Sequence, residues 1–181
     1  VRPCHRRDKV ATRARTSPKA ARWPFCHDGR HVRRHRSHRL LSSVRPTRFQ
    51  ETEWHVPRER GLACLRAVVD RLEQHNEAFF PLEFRFVQGD GAWLSPFHGR
   101  DSCSIAVHAA ADEAWDYLID DFTPIFRAHQ GRPHWGKLHR LGAVDLAPLY
   151  PRWADFAAVR QRFDPQGRLL NAHLRQVFGI T

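Results

Sequence analysis

All of the excess positive charge in this chain lies in its first 50 residues. That tract holds 15 Lys and Arg against two acids, Asp8 and Asp28, whereas residues 51–181 hold 15 against 17, so the net charge of +11 divides into +13 and −2. A segment so dominated by like charge, and without apolar periodicity, cannot bury enough surface to offset the entropy of ordering its backbone. Residues 1–43 therefore read as a disordered Arg-rich tract, and folding falls to residues 44–181, a length suited to one domain. With Val at position 1 and no Met anywhere, the tract is expected to be a transit-like leader or a mis-set reading frame in front of a fragment.

No run of eighteen apolar residues is present, which argues against a membrane-spanning helix. Cys4, Cys26, Cys64 and Cys103 show no close pairing, so a reducing cytoplasm is the expected compartment. Within the basic tract, Cys26, His27, His31 and His35 stand at helical steps that could gather zinc, but a second nearby cysteine is missing and the surrounding arginines would repel the metal. Arg33, Arg34, Arg36 and Arg39 could contact nucleic acid by charge alone; with only Trp23 and Phe25 to stack on bases, this alternative is disfavoured as the working function.

The folding part alternates between two periods. Phe49–Val56 interleaves aromatic and β-branched residues with polar ones and predicts a strand. Pro57 opens a helix to about Asn76, with Leu62, Leu65, Val68, Val69 and Leu72 forming its apolar stripe. In Pro81–Val87, Leu82, Phe84 and Phe86 share one face and Glu83, Arg85 and Val87 the other. In Cys103–Ala109, Cys103, Ile105 and Val107 oppose Ser104, Ala106 and His108. A helix capped by Asp112 is expected from Glu113 to His129, with a break at Pro124. Helices from Tyr150 to Phe163 and from Arg168 to Phe178 close the chain. This order predicts an α+β fold, an antiparallel sheet covered by helices on one side.

Two features suggest chemistry. A sheet face carrying Glu83, Arg85 and His108 could form the floor for a polyhydroxylated ligand, because each hydroxyl needs a donor and an acceptor; a solvated cross-strand ion pair is the plain alternative. Lys137 is the only lysine between residues 51 and 181, in a stretch that otherwise uses arginine, which points to a position where a compact ammonium is wanted.

The run from Arg132 through His134-Trp135-Gly136-Lys137 to His139 resembles the C-terminal signature of the aldonolactone oxidases and the related alditol oxidases. Glu83–Val87, Trp93–Pro96, Gly99–Cys103, Leu149–Trp153 and Phe163–Arg168 with Asn171 follow in that family's order. The resemblance implies a flavoprotein of the vanillyl-alcohol-oxidase type, of which this chain would be the C-terminal substrate and cap part. FAD would be held mainly by a domain outside the chain, leaving the chain inactive alone. By the same resemblance Glu83, Arg85, His108 and Lys137 are the catalytic candidates, while His134, Trp135, Lys137 and Asn171 face the cofactor. The substrate would be a sugar lactone or a polyol. Ala110, where alditol oxidases carry threonine, tilts the expectation toward a D-arabinono-1,4-lactone oxidase-like enzyme over an alditol oxidase. Membrane association follows family habit and no residue of this chain. The expectation that can fail is spatial: Glu83, Arg85, His108 and Lys137 should converge on one pocket beside the sheet.

Overall fold

A computed structural model describes residues 47–75 and 82–180, all within the compact unit Arg45–Thr181. The basic tract, with its candidate zinc ligands and its arginine cluster, lies outside the described residues.

Four strands form one antiparallel sheet in the order β2-β3-β1-β4. They are β1 (Phe49–Pro57), β2 (Glu83–Val87), β3 (Ser102–Ala110) and β4 (Arg132–Pro133). The register pairs Trp54 with Ile105 and Val56 with Cys103 on one face, and Glu51 with His108 and His55 with Ser104 on the other. Period-two alternation therefore separates an apolar face from a polar one. The apolar face carries Trp54, Val56, Cys103, Ile105 and Val107, all buried, and the helices cover it. Helix α1 (Gly61–His75) follows a 3-10 turn at Arg58–Arg60. Helices α2 (Tyr117–Asp120) and α3 (Phe122–Ala128) add Leu118, Phe122 and Phe126 to the core, where Phe126 stacks on Trp54 at 5.5 Å. Helices α4 (Ala143–Leu146), α5 (Trp153–Phe163) and α6 (Ala172–Phe178) complete the unit.

Several local expectations need correction, and the two closing helices start at Trp153 and Ala172 rather than at Tyr150 and Arg168. The buried stripe of α1 is Gly61, Cys64 and Val68 with Leu65 and Leu72 beside it, whereas Leu62 and Val69 are exposed. Gly61 lets the helix sit directly on β3: a Cβ there would stand 2.3 Å from Cys103 Sγ. The helix expected from Glu113 begins at Tyr117, without a side-chain cap from Asp112, and divides at Asp121 rather than Pro124. Pro124 is tolerated because it falls in the first turn of α3, where backbone N–H groups have no partner within the helix. Arg132–Pro133, expected only as a stop, forms the edge strand β4. No helix of the described residues is long and apolar enough to cross a membrane.

Candidate functional site

The polar face is organised in rows set by the strand register. One row runs Arg85, Ser104, His55; the next runs Glu83, Ala106, Glu53; the third pairs His108 with Glu51. β1 and β2 flank β3 and stand about 10 Å apart, twice the usual strand spacing. Two long side chains from them can meet only if the middle strand carries small ones. Ser104 and Ala106 meet that requirement, so the floor dips between them. Across the dip, Arg85 Nη2 donates to Glu53 Oε1 at 2.6 Å, with Glu83 3.6 Å away on the other side. Glu53 is almost fully buried while Arg85 stays half exposed, so the guanidinium is anchored at one end and open at the other.

The loop after β4 is fixed to β1 at both ends. His134 N donates to Glu53 O and Leu138 N to Glu51 O, both at 2.9 Å, while Thr52 Oγ1 donates to Leu138 O. Between those anchors Trp135, Gly136 and Lys137 bulge outward, tightened by Lys137 N donating to His134 O and Gly136 N to His134 Nδ1. Trp135 is held from behind, its Nε1 donating to Tyr150 Oη at 2.9 Å; burial pushes that phenol up to about 12, against the opposing effect of the Trp135 bond. The loop thereby delivers Lys137 Nζ onto the Glu51 carboxylate, and His108 Nε2 lies 3.6 Å from the other carboxylate oxygen. Burial alone would raise the Glu51 carboxyl, but the bonds and charges of His108 and Lys137 outweigh it and bring it down to about 2.

Among the described residues, a cleft opens on this face on either side of the Trp135-Gly136 bulge. The larger, about 540 Å³, is bordered by Glu53, His55, Arg85, Ser104, Phe97 and His134. The smaller, about 480 Å³, is bordered by Phe49, Glu51, Lys137, Leu138 and His173. The four predicted catalytic residues thus share one sheet face but not one pocket. Arg85 belongs to the larger cleft and Lys137 to the smaller, while Glu83 and His108 border neither and reach them only through their contacts with Arg85 and Glu51. The separation follows from the register, which puts His108 one row beyond Glu83. Of the residues expected to face a cofactor, Trp135 borders both clefts, while His134 and Lys137 border one each. Asn171 borders neither: its side chain accepts from Leu174 N and caps α6.

Sequence reasoning misses Glu51, Glu53 and His55, which supply the acids and a histidine on the central part of the face. Their signal lies in the strand Phe49–Val56, where they occupy every second position opposite Gln50, Thr52, Trp54 and Val56. Among the described residues no cluster of three or more metal-ligating side chains occurs, and Cys64 and Cys103 are free, buried thiols.

Known proteins are similar to this chain in sequence. The family model described as D-arabinono-1,4-lactone oxidase matches residues 9–177. The chain is 39% identical over 145 residues to the L-gulono-1,4-lactone dehydrogenase of Mycobacterium tuberculosis, covering 80% of this chain and 34% of that protein. It is 32% identical over 149 residues to the L-gulonolactone oxidase of Mus musculus, covering 78% and 34%. An alditol oxidase of a Streptomyces species is 34% identical over 134 residues, covering 70% and 31%. The chain spans about a third of the length of these relatives, and it belongs to the D-arabinono-1,4-lactone oxidase family.

Proposed function

We propose, from that membership and from the polar sheet face, that this chain forms the substrate-facing side of an FAD-linked oxidase acting on a sugar lactone. The observation that carries the proposal is the pair of clefts, each presenting one cation whose position is fixed by a buried carboxylate of β1, Arg85 across the sheet on Glu53 and Lys137 from the loop after β4 on Glu51. A polyhydroxylated ring needs many donors and acceptors in a fixed array. Glu53, Arg85, Ser104 and His134 provide them in one cleft, and Glu51, Lys137 and His173 in the other.

The donor set suits the ring end of a flavin rather than its phosphates. Trp135 offers an aromatic edge and Lys137 a cation beside it, while the described residues contain no glycine-rich phosphate-binding turn. Trp135, His134 and Lys137 would contact the ring, and the bound flavin would supply hydride acceptance from the carbon bearing the substrate hydroxyl. This chain's own residues have electrostatic and positioning tasks. Arg85, in the larger cleft, would stabilise negative charge on the substrate oxygen, and Lys137, in the smaller one, would do so at the flavin ring; Glu53 and Glu51 fix the two cations beforehand so that little reorganisation is needed. Glu83 steadies Arg85, and His108 shares the Glu51 carboxylate with Lys137. Positioning in the clefts fixes the reacting carbon.

Specificity for a lactone over an open-chain polyol is the finer part of the proposal. Ala110 ends the polar face opposite Phe49, whose ring meets His108 edge-on at 5.1 Å. That end of the face is therefore apolar and offers no hydroxyl to a linear polyol. The test is calorimetric titration of the chain, with and without FAD, using D-arabinono-1,4-lactone, L-gulono-1,4-lactone and xylitol. Lactone binding that weakens at least tenfold in Arg85→Ala and Lys137→Ala supports the proposal. Absence of lactone binding to the folded chain in both conditions overturns it, and a preference for xylitol overturns the lactone assignment. Flavin absorbance carried through purification of the chain alone would contradict the assignment of FAD mainly to another domain.

A further inference from the structure

At the floor of the larger cleft, His55 is 2% exposed, and its Nε2 has no hydrogen-bond partner among the described residues. Everything else about the residue is fixed. Nδ1 lies 2.7 Å from Ser104 Oγ, and the carbonyl accepts from Arg100 Nη2 at 3.0 Å. Phe97 packs edge-on at 4.7 Å, and the His134 ring is tilted 6.0 Å away. A ring held this firmly with one polar atom unused is a site prepared for a partner, because a buried polar atom without a bond has lost its hydration and gained nothing.

The environment also determines what kind of partner. Burial first, then electrostatic repulsion from His134, Arg85 and Arg100, brings the imidazole down to about 3, so the ring is neutral at ordinary pH. A neutral imidazole has one N–H and one bare nitrogen. If Nδ1–H donates to Ser104, Nε2 accepts; if Ser104 donates to Nδ1, Nε2 donates. A ligand hydroxyl satisfies either arrangement, whereas a carboxylate satisfies one and an ammonium the other.

We propose that His55 is a ligand-binding residue of the Arg85 cleft, its Nε2 exchanging a hydrogen bond with one hydroxyl of the bound sugar lactone while Ser104 fixes the ring's orientation. The proposal rests on the reading of this face as a lactone site and adds a subsite to it.

Two substitutions separate the ring's halves. In His55→Asn the amide can take the place of Nδ1 against Ser104 and leaves nothing at Nε2; in His55→Gln the longer side chain restores a polar atom there. D-arabinono-1,4-lactone and a panel of monodeoxy lactones are titrated against wild type and both variants, and imidazole nitrogen NMR follows His55 in the wild type. The expected results are a His55 Nε2 resonance that moves on adding lactone, affinity roughly tenfold weaker in His55→Asn, and recovery in His55→Gln. One deoxy lactone should lose the same factor on wild type and nothing further on His55→Asn. If His55→Asn fails to fold, the wild-type resonance and the deoxy series decide. Lactone binding that depends on Arg85 but leaves the His55 resonance and the deoxy series unaffected, as an internal water serving Nε2 would give, overturns this inference and spares the lactone site. No lactone binding to the wild type overturns both.

Discussion

Replacing Glu51 with glutamine tests whether a β1 carboxylate organises the Lys137 side of the face. The substitution keeps the shape of the side chain and removes the charge shared by Lys137 and His108. A carboxyl that titrates near 2 in the fold and near 4.5 in the unfolded chain stabilises the folded state by about 3 kcal/mol at neutral pH. The folded state binds the proton more weakly than the unfolded chain. The contribution is therefore complete above pH 4.5 and is lost as pH falls toward 2. Urea denaturation followed by tryptophan fluorescence should show Glu51→Gln less stable than wild type by about 3 kcal/mol at pH 7, equivalent to a melting point roughly 10 °C lower. The difference should shrink steadily between pH 4.5 and 3. Because the Glu51 side chain is only 10% exposed, added salt should remove little of it. A loss under about 1 kcal/mol at pH 7, or one that stays constant down to pH 3, would refute the claim that Lys137 and His108 hold this carboxylate ionised.

The other predictions concern the floor of the face and the layer beneath it. Because the His55 imidazole titrates near 3 in the fold instead of near 6.5, the unfolded chain takes up the proton first. Stability is full above pH 6.5 and falls by about 5 kcal/mol as pH drops toward 3; His55→Gln should flatten the curve of urea midpoint against pH between 6.5 and 4.5, above the range in which Glu51 responds, and an unchanged slope would count against it. Ala106→Leu should fill the dip under the Glu53–Arg85 bridge and destabilise the fold by about 1–3 kcal/mol, with weaker lactone binding; a variant as stable as wild type would mean that the bridge does not close over this residue. Gly61→Ala should destabilise by a similar amount despite alanine's better helix propensity, because its Cβ meets Cys103 Sγ, and Cys103→Ala in the same chain should restore part of the loss in thermal unfolding.

What the sequence could show and what it could not divide along the range of the interactions. Period-two alternation in residues 82–87 and 103–109 identifies the faces of β2 and β3 correctly, because side-chain direction in a strand is a local property. The same alternation in Phe49–Val56 puts Glu51, Glu53 and His55 on one side of that strand, but nothing local says that this side joins the face of Arg85 and His108. That follows from the order β2-β3-β1, which long-range burial of Trp54, Ile105 and Val107 decides. The helix boundary fails for a related reason: Asp112 offers a local cap, but the helix starts where Leu118 and Phe122 reach the core. Lys137 is legible as an oddity of composition, yet its partner is not, since 86 residues separate it from Glu51. One signal does lie in the sequence for the bridge across the sheet. Ser104 and Ala106, small residues on the polar side of an otherwise Ile- and Val-bearing strand, mark the middle of a floor over which longer side chains must meet. Small residues in the middle of a strand's polar side are therefore a signal that longer groups from both neighbouring strands can close above it, even where those groups lie too far along the chain to be identified from local pattern.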